Sequence, residues 1–207
     1  MINKLQDFAN ATAEWSDATF GTNRSPVPIL HHLGKEIPEL IEAIEENHKY
    51  KDTSIKEVVK HDLHMEFADV FTLIVDAARC TGIDTHTLLK LGLAEYDRDP
   101  NIEELQDYMD SFPDTPIPGK VLVSLLKDRT PELISLIETF EKDNSEDSGV
   151  TMLRGFGITF ATALYAAKQE GLTAQELTEN CWTKLEINKK RKWGAPDANG
   201  VVEHTEE

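Results

Sequence analysis

Glu36 with Glu39, and Glu66 with Asp69, form the two acidic pairs in this sequence best placed to do chemistry. Each pair has i,i+3 spacing inside an apolar-periodic stretch, which puts both carboxylates on one side of a helix. Four carboxylates converging from two helices make an oxygen-only donor set. Such a set suits hard Mg²⁺ or Mn²⁺ rather than zinc, and these ions most often hold and attack phosphates. One E-x-x-E motif means little in a chain with 38 Asp and Glu residues. E-x-x-E followed, after 26 residues, by E-x-x-D is more specific, because both pairs must fall on the same kind of helical face.

On a 100° wheel over residues 60–80, Asp62, Glu66, Asp69 and Asp76 gather on one side. Phe67, Phe71, Ile74 and Ala78 gather nearly opposite. The plain alternative is a solvated acidic face. The stripe itself has almost no Lys or Arg to relieve like-charge repulsion, which costs on the order of a few tenths of a kcal/mol per pair. A cation would relieve it, and Asp76 could serve as a further ligand or as a group that orients one.

The elements that position these side chains read as helices, and no stretch has a strand period. An amphipathic helix covers residues 2–15, and a turn-rich loop, TFGTNRSPVP, follows. A helix is expected from His32–Gly34 to about Asn47, with Pro38 tolerable only in its first turn. His31 and His32 then stand at its entry. A long helix should run from Ser54 to Thr81 with Gly82 as its C-terminal cap, and another from Asp84 to Tyr96. Residues 97–120, with five prolines or glycines, read as a linker in which 102–109 could add a short helix. Helices then resume at 131–142, 150–170 and 173–192, before a polar tail over 195–207.

The second half resembles the first, as in a diverged internal duplication, or as in two amphipathic hairpins that share helical patterning. Ile-Pro-Glu-Leu-Ile at 37–41 recurs as Thr-Pro-Glu-Leu-Ile at 130–134, and residues 66–89 align with 155–178. The alignment pairs Phe67 with Phe156, Phe71 with Phe160, Gly82 with Gly171 and Leu88 with Leu177. The expected architecture is therefore an all-α helical bundle made of two fused, diverged copies. Residues 1–96 and 121–194 form its halves. In the second copy the four acidic positions become Arg129, Glu132, Gly155 and Ile158. Conversely, Lys184, Asn188, Arg191 and Lys192 stand where the first copy has Glu95, Asp99, Ile102 and Glu103. One copy keeps the carboxylates and the other the cations, as two halves sharing one site would.

Hydrophobic content of 40% is ordinary for a globular chain, and no run of 18 apolar residues suggests a membrane span. The N-terminus lacks the apolar core of a signal peptide. Cys80 and Cys181 sit in apolar-periodic stretches without metal spacing, so reduced thiols and a cytoplasmic location are expected. A net charge of −17 argues against general nucleic-acid binding. The terminal KLEINKKRKWG places Lys184, Asn188 and Arg191, with Lys192 adjacent, on about one side of a last helix. That mixture of charge, fork and amide fits phosphate and sugar oxygens, unless it only complements the helix dipole.

The order W…TFG (Trp15, Thr19–Gly21), H-L-x-x-E-x-x-E (His32 to Glu39), E-F-A-D-V (Glu66 to Val70), D-A-A-R (Asp76 to Arg79), K-x-x-x-N-x-x-R-K-W-G (Lys184 to Gly194) and V-E-H resembles the all-α NTP pyrophosphatases. The likeness is nearest the MazG-like dATP/dGTP pyrophosphohydrolase branch, which includes phage enzymes of the MazZ type. It covers residues 10–96 and 172–204, and residues 97–171 have no counterpart in compact members. The resemblance implies cleavage of a nucleoside triphosphate, a purine such as dGTP or dATP, to monophosphate and pyrophosphate. It makes Glu36, Glu39, Glu66 and Asp69 ligands of two or three Mg²⁺ ions (Mn²⁺ able to replace them), with Glu39 and Glu66 catalytic. It gives Lys184, Asn188, Arg191 and Lys192 to phosphate or sugar, and Trp15 to stacking on a base. A homodimer is also in keeping with it. Two alternatives stay open at this point: a dUTP or phosphoribosyl-ATP hydrolase of a sister family, and a non-enzymatic acidic protein that imitates nucleic acid.

Overall fold

A computed structural model describes residues 2–95, 105–113 and 117–205. The fold is all-α, with eight helices and no strand among the described residues. They are α1 (Ile2–Phe20), α2 (Val27–Tyr50), α3 (Lys56–Cys80), α4 (Thr85–Glu95), α5 (Leu105–Ser111), α6 (Gly119–Asp143), α7 (Glu146–Gln169) and α8 (Ala174–Asn188). One core joins both halves, from Leu5 and Phe8 on α1 to Cys181 and Leu185 on α8. The apolar side assigned to α3 is inside it: Phe67, Phe71, Ile74 and Ala78 are all buried.

Several ends differ from the expected ones. α2 starts five residues earlier than His32, with Pro26 and Pro28 at its beginning, where missing N–H groups cost little. Pro38 therefore lies in mid-helix, as does Pro131 in α6. Burial of Leu33, Ile37, Leu40 and Ile44 along one face of α2 outweighs the single backbone hydrogen bond each ring removes. The presumed linker also holds structure. Leu105, Tyr108, Met109 and Phe112 recur at helical spacing and are buried, so α5 is part of the core, and α6 opens at Gly119. Residues 96–104, which include Asp99, Ile102 and Glu103, and the side chain of Glu95 lie outside what is described.

The two halves end their long helices in the same way. Gly82 and Gly171 take φ of +82° and +83°, left-handed backbone that glycine alone adopts freely. Gly82 N donates to Arg79 O and Ile83 N to Ala78 O, as Gly171 N does to Lys168 O and Leu172 N to Ala167 O. The packing is parallel too. α2 lies on α3 as α6 lies on α7; α4 lies on α7 as α8 lies on α3; and α1 touches α3, α4 and α8 as α5 touches α7, α8 and α4. α2 packs on α6 and α3 on α7, so each of these helices meets its own counterpart. Phe71 and Phe160, matched in the repeat, face each other with ring centroids 5.1 Å apart.

Where α4 crosses α7 the backbones come close. A Cβ on Gly157 would stand 2.7 Å from Leu91 Cβ and 3.0 Å from Gly92 N. The corresponding positions on α3 and α8 are Ala68 and Cys181, both fully buried. Cys181 is thus a small residue within the core, and both cysteines are free thiols. α7 is long and apolar enough to cross a membrane by length and composition, and its apolar surface is spent on this core.

Candidate active site

α2 and α3 bring the four acidic residues to one cleft of about 810 Å³. One carboxylate oxygen each from Glu36, Glu39 and Glu66 lies within 4.8 Å of the others. Asp69 makes an ion pair with Lys184 Nζ, which arrives on α8 from the far end of the chain. His32 Nε2 is 2.9 Å from Glu36 Oε1. His31 and His32 therefore lie in the second turn of α2, not at its entry, and His32 faces the cleft.

Charge here is held at a cost. Burial pushes the Glu66 carboxyl up to about 7, with Asp69 adding to the shift and Lys184 opposing it. Burial likewise carries Asp69 up to about 6 against the pull of Lys184. Glu39 is raised by burial and then by Glu36. Glu66 Oε2 is buried without a hydrogen-bond partner. A cluster of oxygen donors in which Glu66 Oε2 has no hydrogen-bond partner fits a hard divalent cation.

Lys184, Asn188 and Arg191 face the same cleft. Arg191 donates to Asn188 Oδ1 at 2.9 Å, which holds the guanidinium in place. α8 stops at Asn188, so Arg191 and Lys192 lie in the turn beyond it and not on the helix face expected of them. Lys192 is exposed and does not line the cleft; its carbonyl accepts from Thr205 N. Trp15 does line it, within an aromatic cluster: its ring lies 5.5 Å from Phe20 and 5.6 Å from Trp193.

Asp76 also lines the cleft, but its oxygens are already engaged. Oδ2 accepts from Ser16 and Arg24, each at 2.9 Å, and Oδ1 accepts from Arg79 Nε and from its NH2 nitrogen at 3.1 and 3.0 Å. It anchors Ser16, Arg24 and Arg79 at this end of the cleft. The acidic stripe is therefore not bare of cations. Lys184 and Arg24 come to it from other elements, and Arg79 from the next turn.

The tail read as polar is a wall of the cleft. Gly194 N donates to Glu203 O and Thr205 N to Lys192 O, folding residues 192–205 back on themselves. Lys35 clamps this fold through Asp197 at 3.1 Å and Glu203 at 2.6 Å. Trp193, Val201, Glu203 and His204 thereby line the same cleft as the carboxylates. Sequence reasoning missed Thr12, Ser16, Arg24 and Lys35. The motif ending in Trp193-Gly194 and V-E-H was the available sign that the tail belongs to the site.

A second, smaller cleft of about 240 Å³ lies in the other half. Arg129, Glu132, Gly155 and Ile158, the positions matched to the four acidic residues, all line it. No family model, curated protein or solved structure matches this chain.

Proposed function

We propose that the chain is a Mg²⁺-dependent nucleoside triphosphate pyrophosphohydrolase, releasing monophosphate and pyrophosphate. The observation that carries this is the meeting, in one cleft, of four carboxylates with Lys184, Asn188 and Arg191. We read the fold as a fused pseudodimer whose first half contributes the acids and whose second half contributes the cations. The matched helix packing and the Phe71–Phe160 contact support that reading. A purine substrate such as dGTP or dATP follows from the sequence resemblance.

Glu36, Glu39, Glu66 and Asp69 would hold two or three Mg²⁺ ions. When bound, such ions supply a nucleophilic water near neutral pH and offset the charge that builds on departing pyrophosphate. Glu39, the exposed member whose pKa is raised, takes the proton the water sheds. Lys184 gives a point charge to the phosphates, and Arg191, steadied by Asn188, gives them a forked pair of donors. These donors stand ready where negative charge grows, which is where electrostatic stabilisation acts.

The test is a panel of all (d)NTPs with Mg²⁺, resolving monophosphate plus pyrophosphate from diphosphate plus phosphate. Glu39→Gln and Glu66→Gln should each abolish pyrophosphate release while leaving the helical circular dichroism unchanged. Full turnover in both variants would remove the metal-site reading. The same panel separates dUTP and phosphoribosyl-ATP hydrolysis. An acidic decoy, the reading favoured by the charge of −17 alone, would hydrolyse nothing in it.

A further inference from the structure

The fold of residues 192–205 brings further acids to a cleft that is already acidic. Its turn is built on Asp197, whose carboxylate accepts from Asn199 N and Val201 N at 2.8 and 2.9 Å. Val201 is buried, and Gly200, at φ +76°, lies so near α2 that a Cβ on it would stand 3.0 Å from Pro28 Cγ. Trp193 rests against Trp15 and Phe20, with ring centroids 5.6 and 5.2 Å away. These few contacts seat the fold on α1 and α2. Against them works the charge of Glu203, which is close enough to Glu39 to help raise its pKa. Like charges push the fold away from the carboxylates. Lys35 answers that repulsion by taking Asp197 and Glu203 together. All three side chains are exposed, so each pair holds weakly and is screened by salt. At its other end the fold is tied to the basic turn, because Thr205 N donates to the carbonyl of Lys192, next to Arg191.

We infer that Lys35 is a positioning residue for nucleotide binding: it latches residues 192–205 to α2 as a strap, and the strap closes the cleft on its ligand. The inference rests on the reading of the cleft as one that takes a nucleoside triphosphate. With two carboxylates on its ammonium group, Lys35 acts through the strap and not on the phosphates. The seat is small and the acids repel, so the closed strap prevails by a narrow margin. A ligand that needs the closed cleft then binds in proportion to the closed fraction. The strap returns to Lys192 beside Arg191, so a phosphate gripped by Arg191 favours the same closed arrangement.

The experiment compares the wild type with Lys35→Met, Lys35→Arg and Gly200→Ala. It reads dGTP hydrolysis in Mg²⁺, dGTP binding in Ca²⁺ by tryptophan fluorescence, and hydrogen exchange of residues 192–205 in the nucleotide-free full chain. Lys35→Met should raise the KM and Kd for dGTP by about fivefold or more and leave kcat within about twofold. It should also speed exchange at Gly194 and Thr205. Lys35→Arg, which keeps the charge, should stay within about twofold of the wild type in every reading. Gly200→Ala strains the turn and presses on Pro28 without touching the latch, and should raise KM in the same way. Mn²⁺ binding without nucleotide should be equal in all, which shows the carboxylates undisturbed. A raised KM in Lys35→Met with none in Gly200→Ala, or faster exchange with KM unchanged, would overturn the inference and leave the proposed function standing. Absence of hydrolysis for every nucleotide, with dGTP binding weakened alike in Lys35→Met and Gly200→Ala, would overturn the proposed function and leave this inference standing. No dGTP binding by the wild type would overturn both.

Discussion

Lys184 is the residue on which the two ends of the chain meet. Its ammonium group lies against Asp69 and opposes the upward shift of both Asp69 and Glu66. Lys184→Ala should lower kcat/KM by about ten- to a hundredfold, the size of a lost charge-assisted phosphate contact of roughly 1.5–3 kcal/mol. Steady-state kinetics at fixed Mg²⁺ would show it, and an unchanged kcat/KM would detach α8 from the site. His64 on α3 behaves in the opposite sense. Burial, helped by Lys60, lowers its pKa, and its Nε2 is buried without a partner. Below about 6.5 the unfolded chain takes up a proton that the folded chain refuses, so His64 costs stability as pH falls. Urea titrations at pH 7.5 and 5.5 should therefore show His64→Gln gaining on the wild type at the lower pH; a constant difference would contradict this. At this scale the carboxylates were legible, because i,i+3 spacing fixes which way helical side chains point. Arg24 and Thr12 were not, since their meaning depends on Asp76 and a cleft that only packing creates.

Helix existence was legible and helix extent was not. α2 and α6 run through Pro38 and Pro131 because burying a whole apolar face outweighs one missing hydrogen bond. The short helix allowed for at 102–109 lies at Leu105–Ser111, where the buried Leu105, Tyr108 and Met109, not propensity, hold α5. The C-terminal fold escaped notice because its anchor, Lys35, lies on α2, more than 160 residues away. The crossing of α4 with α7 depends on the smallest side chain available. Gly157→Ala would press a methyl against Leu91 and the backbone of Gly92, and should destabilise the protein by about 1–3 kcal/mol. Thermal or urea unfolding measures this directly. A neutral result would mean the two helices can slide apart without loss.

For the molecule as a whole, helix packing matches between the halves while the chemistry differs. The cleft of about 810 Å³ holds four acids, and its counterpart of about 240 Å³ holds Arg129, Glu132, Gly155 and Ile158. A calorimetric titration should find one nucleotide bound per chain; two equivalent sites would refute the division between the halves. The likeness between the halves was visible in the sequence through Phe67/Phe156, Phe71/Phe160 and the paired glycines. The exchange of α1 for α5 was not visible, because those two helices share a place in the packing without sharing a sequence pattern. Phe71 and Phe160 sit where the two halves touch, so neither can change without the other noticing. A saturation mutational scan selected for activity should therefore give an uneven map. Gly82 and Gly171, or Phe71 and Phe160, should be about equally intolerant as matched positions, since both halves need them to fold. Glu36, Glu66 and Asp69 should admit almost nothing, while Arg129 and Ile158 accept many replacements. Selection for folding would read this chain as two copies, and selection for activity as one.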